Sequence, residues 1–238
     1  STKEINSALE GIETGAIDGS LSVVPLIGPK GAAGVLTLER LGMEAPFDQR
    51  EFELVQLFAA QVSIALRNAE SFQAAEVRAR TDGLTGLLNH GAFKDWLAES
   101  VAAGEAFGVV MVDLDEFKAI NDTLGHQVGD QALREVARAI LGAARDSDAV
   151  FRYGGDEFAV LLPRSDAFGV AGVAERVRVA VEAVGAPGTT WAAEGVRLSA
   201  SIGTAAFPLD GADAEAILLA ADRRCFVARR RGRGRIAT

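Results

Sequence analysis

The sequence predicts an α+β fold, a central and mainly antiparallel sheet flanked by helices, and three observations carry that reading. Residues 149–162 hold two apolar runs, Ala149-Val150-Phe151 and Phe158-Ala159-Val160-Leu161-Leu162, on either side of Arg152-Tyr153-Gly154-Gly155-Asp156-Glu157. Glycine accepts the φ > 0 conformations that tight turns demand, so this stretch reads as a β-hairpin. Phe107–Val112 is a continuous apolar run, the pattern of a central strand buried on both faces. Helical stripes lie before, between and after these strands, and that order builds a sandwich of helices on a sheet.

The bulk numbers set the frame. With 238 residues the chain is long enough for one large domain or two smaller ones. Its 49% hydrophobic and 24% charged content is that of an ordinary globular protein. No apolar run approaches the ~20 residues of a membrane helix, and no signal peptide opens the sequence. The chain begins at Ser1 without Met, as a fragment would. The single cysteine, Cys225, fits a reducing cytoplasm, and with two histidines it is too little for a structural zinc site. A net charge of −9 argues against non-specific nucleic-acid binding, so any site for a polyanionic ligand must gather its cations locally.

In chain order, Ile5, Leu9 and Ile12 suggest a short helix over residues 1–15, followed by strands at Leu21–Ile27 and Gly34–Leu38 around the turn Gly28–Ala33. After Pro46-Phe47, Asp48 and Glu51 form a capping-box pattern. No breaker follows until Thr81, which predicts a helix of ~33 residues, about 50 Å long. Val55, Phe58, Val62, Ala65, Ala69, Phe72, Glu76 and Ala79 alternate three and four apart, as the seam of a dimeric coiled coil does. A second apolar side, Leu54, Leu57, Ile64 and Leu66, is expected to pack on the two strands. The predicted division is 1–47, a partial α/β unit; 48–80, the long helix and linker; and 81–238, the main domain.

Within 81–238, Thr81–Asn89 is a polar, glycine-rich break, and Phe93, Trp96, Leu97 and Val101 mark the next helix face. His90, at that helix's start, reads as a surface or capping residue. The Phe107–Val112 strand ends in Asp113-Leu114-Asp115, where a carboxylate serves either as a helix cap or as a metal ligand. If this strand lies beside the hairpin, Asp113 and Asp156 fall on neighbouring strands ~5 Å apart. Carboxylates that close repel unless a cation lies between them, and magnesium suits hard oxygen ligands and nucleoside triphosphates. Helices are expected at Gln131–Ala144, Asp166–Val184 and Ala212–Arg230, with a further strand at Val196–Gly203.

Gly154-Gly155-Asp156-Glu157-Phe158 resembles, letter for letter, the signature of the GGDEF family of diguanylate cyclases. The run Asp113-x-Asp115-x-Phe117-Lys118-x-Ile120-Asn121-Asp122-x-x-Gly125-His126-x-x-Gly129-Asp130 matches the same family, as do Asp82-x-Leu84-Thr85 and Asn89. The resemblance implies a fold like nucleotide cyclases and polymerase palms, and condensation of two GTP into cyclic di-GMP by a homodimer. It makes Asp113, Asp156 and Glu157 catalytic, with Asp113, the Leu114 carbonyl, Asp156 and Glu157 as ligands of Mg²⁺ or Mn²⁺. Glu157 is then either the base at the attacking 3′-hydroxyl or a second-metal ligand. Lys118, Gly154, Gly155, Arg229 and Arg233 would hold the triphosphate, and Asn121 and Asp130 would recognise guanine; capping is the alternative for the last two.

Arg145 and Asp148 fall where the family carries a product-inhibition site. The chain departs from the family pattern at His90, Arg224, Phe226 and Arg229. Residues 20–72, through Val24-Pro25-Leu26-Ile27, Gly34-Val35-Leu36 and Phe58–Leu66, resemble the C-terminal half of a GAF sensor domain. That makes the long helix a signalling element.

Overall fold

The computed structural model describes residues 19–29, 31–41, 48–186 and 197–238. The expected 1–15 helix, the Pro46-Phe47 break and the Val196 start of the late strand lie outside the described residues. The chain divides into two compact units, Ser1–Val77 and Arg78–Thr238.

In the first unit β1 (Gly19–Gly28) and β2 (Gly31–Leu41) pair antiparallel, with a register shift between Leu26 and Ile27. Helix α1 (Gln49–Arg80) begins at the expected capping box, in which Asp48 and Glu51 accept each other's backbone N–H at 2.8 and 2.9 Å. The face turned to the strands is not the expected one. Leu54, Leu57, Ile64 and Leu66 are exposed, whereas Val55, Ala59 and Ser63 are buried, the first two against Val24, Leu26, Leu36 and Leu38. Small side chains let the helix lie close to the hairpin. At the register shift, Ile27 N–H donates to Ser63 Oγ at 3.0 Å, and that hydroxyl donates to Ala59 O at 2.7 Å. Val55, placed on the coiled-coil seam by its spacing, therefore belongs to the sheet-facing side.

The second unit runs β3 (Leu88–Asn89), α2 (His90–Ala103), β4 (Phe107–Leu114), α3 (Phe117–Leu124), α4 (His126–Ala143), β5 (Ala149–Arg152), β6 (Glu157–Pro163), α5 (Ala167–Val184), β7 (Ala200–Phe207), α6 (Ala214–Arg230) and β8 (Ile236–Ala237). Its sheet has the order β3-β5-β6-β4-β7-β8. The pairs β5–β6, β6–β4 and β4–β7 are antiparallel, and the two-residue edge strands β3 and β8 join parallel. This is the predicted α+β architecture.

The apolar run of β4 is explained by helices on both faces. Val110 and Val112 join Val136 and Ile140 of α4 and Val173 and Val177 of α5 in one core. Val109 and Met111 join Phe93 and Leu97 of α2 and Ile217 and Ala221 of α6 in another. Alternate residues of one strand thus feed two cores. Side chains cap the helices where the sequence offers them: Asn89 for α2, Asp166 for α5 and Asp213 for α6. Helix α4 starts at His126, earlier than expected, because Gly125 (φ 86°) makes a single-residue break after α3 and the helix resumes at once. Among the described residues no helix is long and apolar enough to cross a membrane.

Candidate active site

The site is built where β4 leaves the sheet beside the β5–β6 turn. The register sets Asp113 opposite Glu157, the first residue of β6, so the acid on the neighbouring strand is Glu157 where Asp156 was expected. Asp156 lies one residue earlier, in the turn, and contributes its backbone carbonyl, which accepts Leu114 N–H at 3.1 Å. The turn closes through Glu157 O, which accepts Tyr153 N–H at 2.8 Å and Gly154 N–H at 3.1 Å. A Cβ on Gly154 would crowd the Glu157 carboxylate, so a side chain there would displace that group from its present place.

Arg152, quoted in the motif but given no role by the sequence, locks this turn. Its guanidinium donates to Gly155 O at 2.7 Å and to both Asp82 oxygens at 3.0 and 3.1 Å. Burial pushes the Asp82 carboxyl up, but hydrogen bonds from the Thr85 hydroxyl and amide and from Arg152 outweigh it and hold it below the ordinary range. The break at Thr81–Asn89 and the hairpin tip are therefore one fastened unit. His90 belongs to it as well, and is not a surface or capping residue. Its ring stacks on Tyr153 at 4.4 Å, and its Nδ1 lies 3.0 Å from Tyr153 O.

A cavity of about 460 Å³ opens here, lined by Met111, Asp113, Glu157, Asp222, Phe226 and Arg229 among others. Burial pushes the Glu157 carboxyl up, the charges of Asp156 and Asp222 add to this, and His90 opposes it. Asp222, on α6, is a third acid at the site, and no motif described above includes it. Arg229 Nη2 is ion-paired with Asp113 Oδ1, a buried atom that makes no hydrogen bond. Among the described residues no three Asp, Glu, His or Cys side chains converge as a closed metal site. The residue types still suit a hard divalent cation: the carboxylate that Arg229 now neutralises belongs to the residue opposite Glu157 on the ladder.

The other predicted residues distribute as follows. Lys118 is exposed in the first turn of α3. Asn121 reaches α4 next to Asp130, since a Cβ on Gly129 would sit 1.9 Å from Asn121 Oδ1. Neither Asn121 nor Asp130 is an N-cap, because Glu116 and Gly125 hold those positions, and Asp113 caps no helix either. Arg233 is ion-paired with Glu116. Arg145 and Asp148 close a turn in which Arg145 N–H donates to Asp148 Oδ2 at 2.9 Å and Asp148 N–H donates to Arg145 O at 2.9 Å. Arg145 lines a separate cavity, whose wall does not include Asp148.

Asp115 has a structural part that the motif alone does not reveal. It is 5% exposed and accepts from Ser199 Oγ at 2.7 Å, Ser201 Oγ at 2.7 Å and Gly234 N–H at 2.9 Å. One carboxylate so joins the exit of β4, the segment opening β7, and the tail that carries Arg233.

Comparison with known proteins agrees with this geometry. Residues 79–235 match the family described as "Diguanylate cyclase, GGDEF domain". Diguanylate cyclase DosC of Escherichia coli strain K12 is 40% identical over 159 residues, 65% of this chain and 34% of that protein. Diguanylate cyclase A of Treponema denticola is 31% identical over 221 residues, 90% of this chain and 58% of that protein. The chain thus spans about a third of the length of DosC and somewhat over half that of the Treponema enzyme. The coiled coil and GGDEF domain of DgcB from Caulobacter crescentus, solved with c-di-GMP, superimposes with a TM-score of 0.69 at 31% identity, over 78% of this chain and 98% of that one. With the matched residues forming the sheet, the turn and the cavity just described, the chain belongs to the GGDEF family of diguanylate cyclase domains.

Proposed function

We propose that this chain condenses two GTP into cyclic di-GMP with release of pyrophosphate. The observation that carries the proposal is the ladder register that sets Asp113 opposite Glu157, with Arg229 on the wall of the same cavity. The reaction is an in-line attack of a ribose 3′-hydroxyl on an α-phosphorus, so the protein chiefly positions the reactants and balances charge. Asp113, the Leu114 carbonyl, Asp156 and Glu157 would hold Mg²⁺ or Mn²⁺, which when bound supplies Lewis-acid stabilisation of the phosphate oxygens. Glu157, held above the ordinary carboxylate range by its burial, is suited to take the 3′-hydroxyl proton. Asp130 accepts from the N1–H and N2–H of guanine, and the Asn121 amide pairs with the same base. Lys118, Arg229 and Arg233 neutralise the triphosphate, against which Gly155 presents open backbone.

One cavity serves one GTP, so two copies must face each other to make the product. Leu54, Phe58 and Phe72 stay 60%, 61% and 71% exposed on α1, which suits a helix shared with a second copy. The unit before it acts as the input element, in keeping with its GAF-like strands and helix. Arg145 and Asp148 form the site of feedback by the product. The test is chromatography of the products from GTP and Mg²⁺, beside a Glu157→Gln control. Cyclic di-GMP that vanishes in the control is the expected result. A chain that binds cyclic di-GMP and makes none is a receptor, and the proposal fails.

A further inference from the structure

Both arginines expected at the triphosphate are held by acids where β4 runs into α3. Arg229 is paired with Asp113, and Arg233 with Glu116. Asp113 belongs to the acid pair across the ladder, but Glu116 has no part in that set, and the local backbone does not call for a glutamate. Its φ is 56° and its ψ 23°, the left-handed region that glycine or asparagine enters more readily. Its carbonyl accepts Ala119 N–H at 2.8 Å, while its side chain makes no capping hydrogen bond to α3. The carboxylate is turned to Arg233 instead.

An exposed ion pair is ordinarily weak, because two long side chains must be ordered to make it. This one starts from two pinned origins. Glu116 sits between Asp115 and Phe117, both buried, and Asp115 accepts Gly234 N–H at 2.9 Å. On the other side of Arg233, Gly232 (φ 121°) follows the end of α6. Beyond Gly234, Arg235 O accepts Ile202 N–H at 2.9 Å as β8 joins the sheet. The hydrogen bond from Gly234 to Asp115 thus links the residues adjoining each partner, and brings guanidinium and carboxylate together at little further cost in order.

We propose that Glu116 sets the affinity for GTP by holding Arg233 back from the triphosphate. This rests on the reading of Arg233 as a cation for that group. A carboxylate and a phosphate offer the guanidinium fork the same pair of acceptor oxygens, so the two compete for it. A nucleotide that uses Arg233 must first open the ion pair, and its apparent affinity falls by the fraction of molecules in which Arg233 is released. The restraint weighs equally on the bound substrate and on the transition state, so its effect belongs in KM and leaves kcat alone.

The experiment is calorimetric titration of the full chain, in Mg²⁺, with a GTP analogue that carries a methylene bridge between its α- and β-phosphates and cannot lose pyrophosphate. Glu116→Gln keeps the size of the side chain and removes its charge, and should tighten binding about two- to fivefold, the range of an exposed ion pair. A folding defect cannot imitate that gain. Arg233→Ala should weaken binding roughly tenfold, and in that background Glu116→Gln should lose its effect. With GTP itself, initial rates of Glu116→Gln should show the lower KM at the parent's kcat. If Arg233→Ala weakens binding while Glu116→Gln binds like the parent, Arg233 keeps its role and the competition is wrong. Equal tightening with and without Arg233 would also overturn it, since the carboxylate would then act on the ligand by plain repulsion. If Arg233→Ala binds like the parent, the triphosphate reading of Arg233 falls and takes this inference with it.

Discussion

Helices α1 and α5 carry the same apolar periodicity, but they meet different amounts of sheet. Over 18 residues α5 buries Val170, Val173, Ala174, Val177 and Val181. Over 32 residues α1 buries Val55, Ala59 and Ser63, all in its first half, and leaves Phe58 and Phe72 in solvent. Period tells which residues share a face; only the extent of the partner surface decides whether that face is covered within the chain. The apolar stripe of α5 is covered within its own unit, whereas a helix that outruns its sheet leaves apolar side chains open to another molecule.

The largest effect that would sharpen this contrast lies inside the second unit. Glu157→Gln should lower cyclic di-GMP formation by roughly 10²–10⁴-fold without loss of fold. The same variant carries a pH signature. Burial, with the charges of Asp156 and Asp222, raises the Glu157 carboxyl, so the folded chain binds its proton more tightly than the unfolded chain does. That carboxyl therefore weakens the fold as pH rises through its folded pKa, and imposes no penalty below the unfolded value. In metal-free buffer Glu157→Gln should melt above the parent at neutral pH, with the gap closing on acidification. A gap that widened in acid would contradict the electrostatics described for the site.

Next comes the open helix. Phe58→Glu with Phe72→Glu should leave the melting of the catalytic unit alone yet cut activity by about a hundredfold in dilute solution, where a second copy is no longer held nearby. Raising the protein concentration should restore the rate. Full activity at nanomolar protein would break the comparison, because α1 would then need no partner.

A third test returns to the catalytic unit. Asp115→Ala strands two serine hydroxyls and one backbone N–H, and should cost about 3 kcal/mol of stability in chemical denaturation. The smallest effect is reserved for the surface. Arg178 bonds Glu175 and Glu182 along α5, and Arg178→Ala should cost less than about 1 kcal/mol, because exposed ion pairs are worth little.

Much of the catalytic unit was legible in the sequence. The apolar run of β4 and the glycine turn state local preferences that packing then honours. The register was less so: whether Asp113 faces Asp156 or Glu157 depends on one residue of turn geometry, which closes through two N–H groups on Glu157 O. The sheet-facing side of α1 was misread because Ala59 and Ser63 look uninformative in a sequence. Their smallness, and the Ser63 hydroxyl at the Ile27 register shift, decide the packing. Arg152, His90 and Asp115 act through partners 70, 63 and up to 119 residues away, a separation that no spacing rule reaches.

The contact between Asp115 and Gly234 has a consequence for how the protein comes into being. During translation the acids of the turn and of β4 leave the ribosome well before the arginines at 229 and 233, and before the residues that pair β8 with β7. A nascent chain halted in that interval holds the carboxylates without the arginines that pair with Asp113 and Glu116. Synthesis itself delays the site, whose walls are complete only once the segment around Gly234 has emerged.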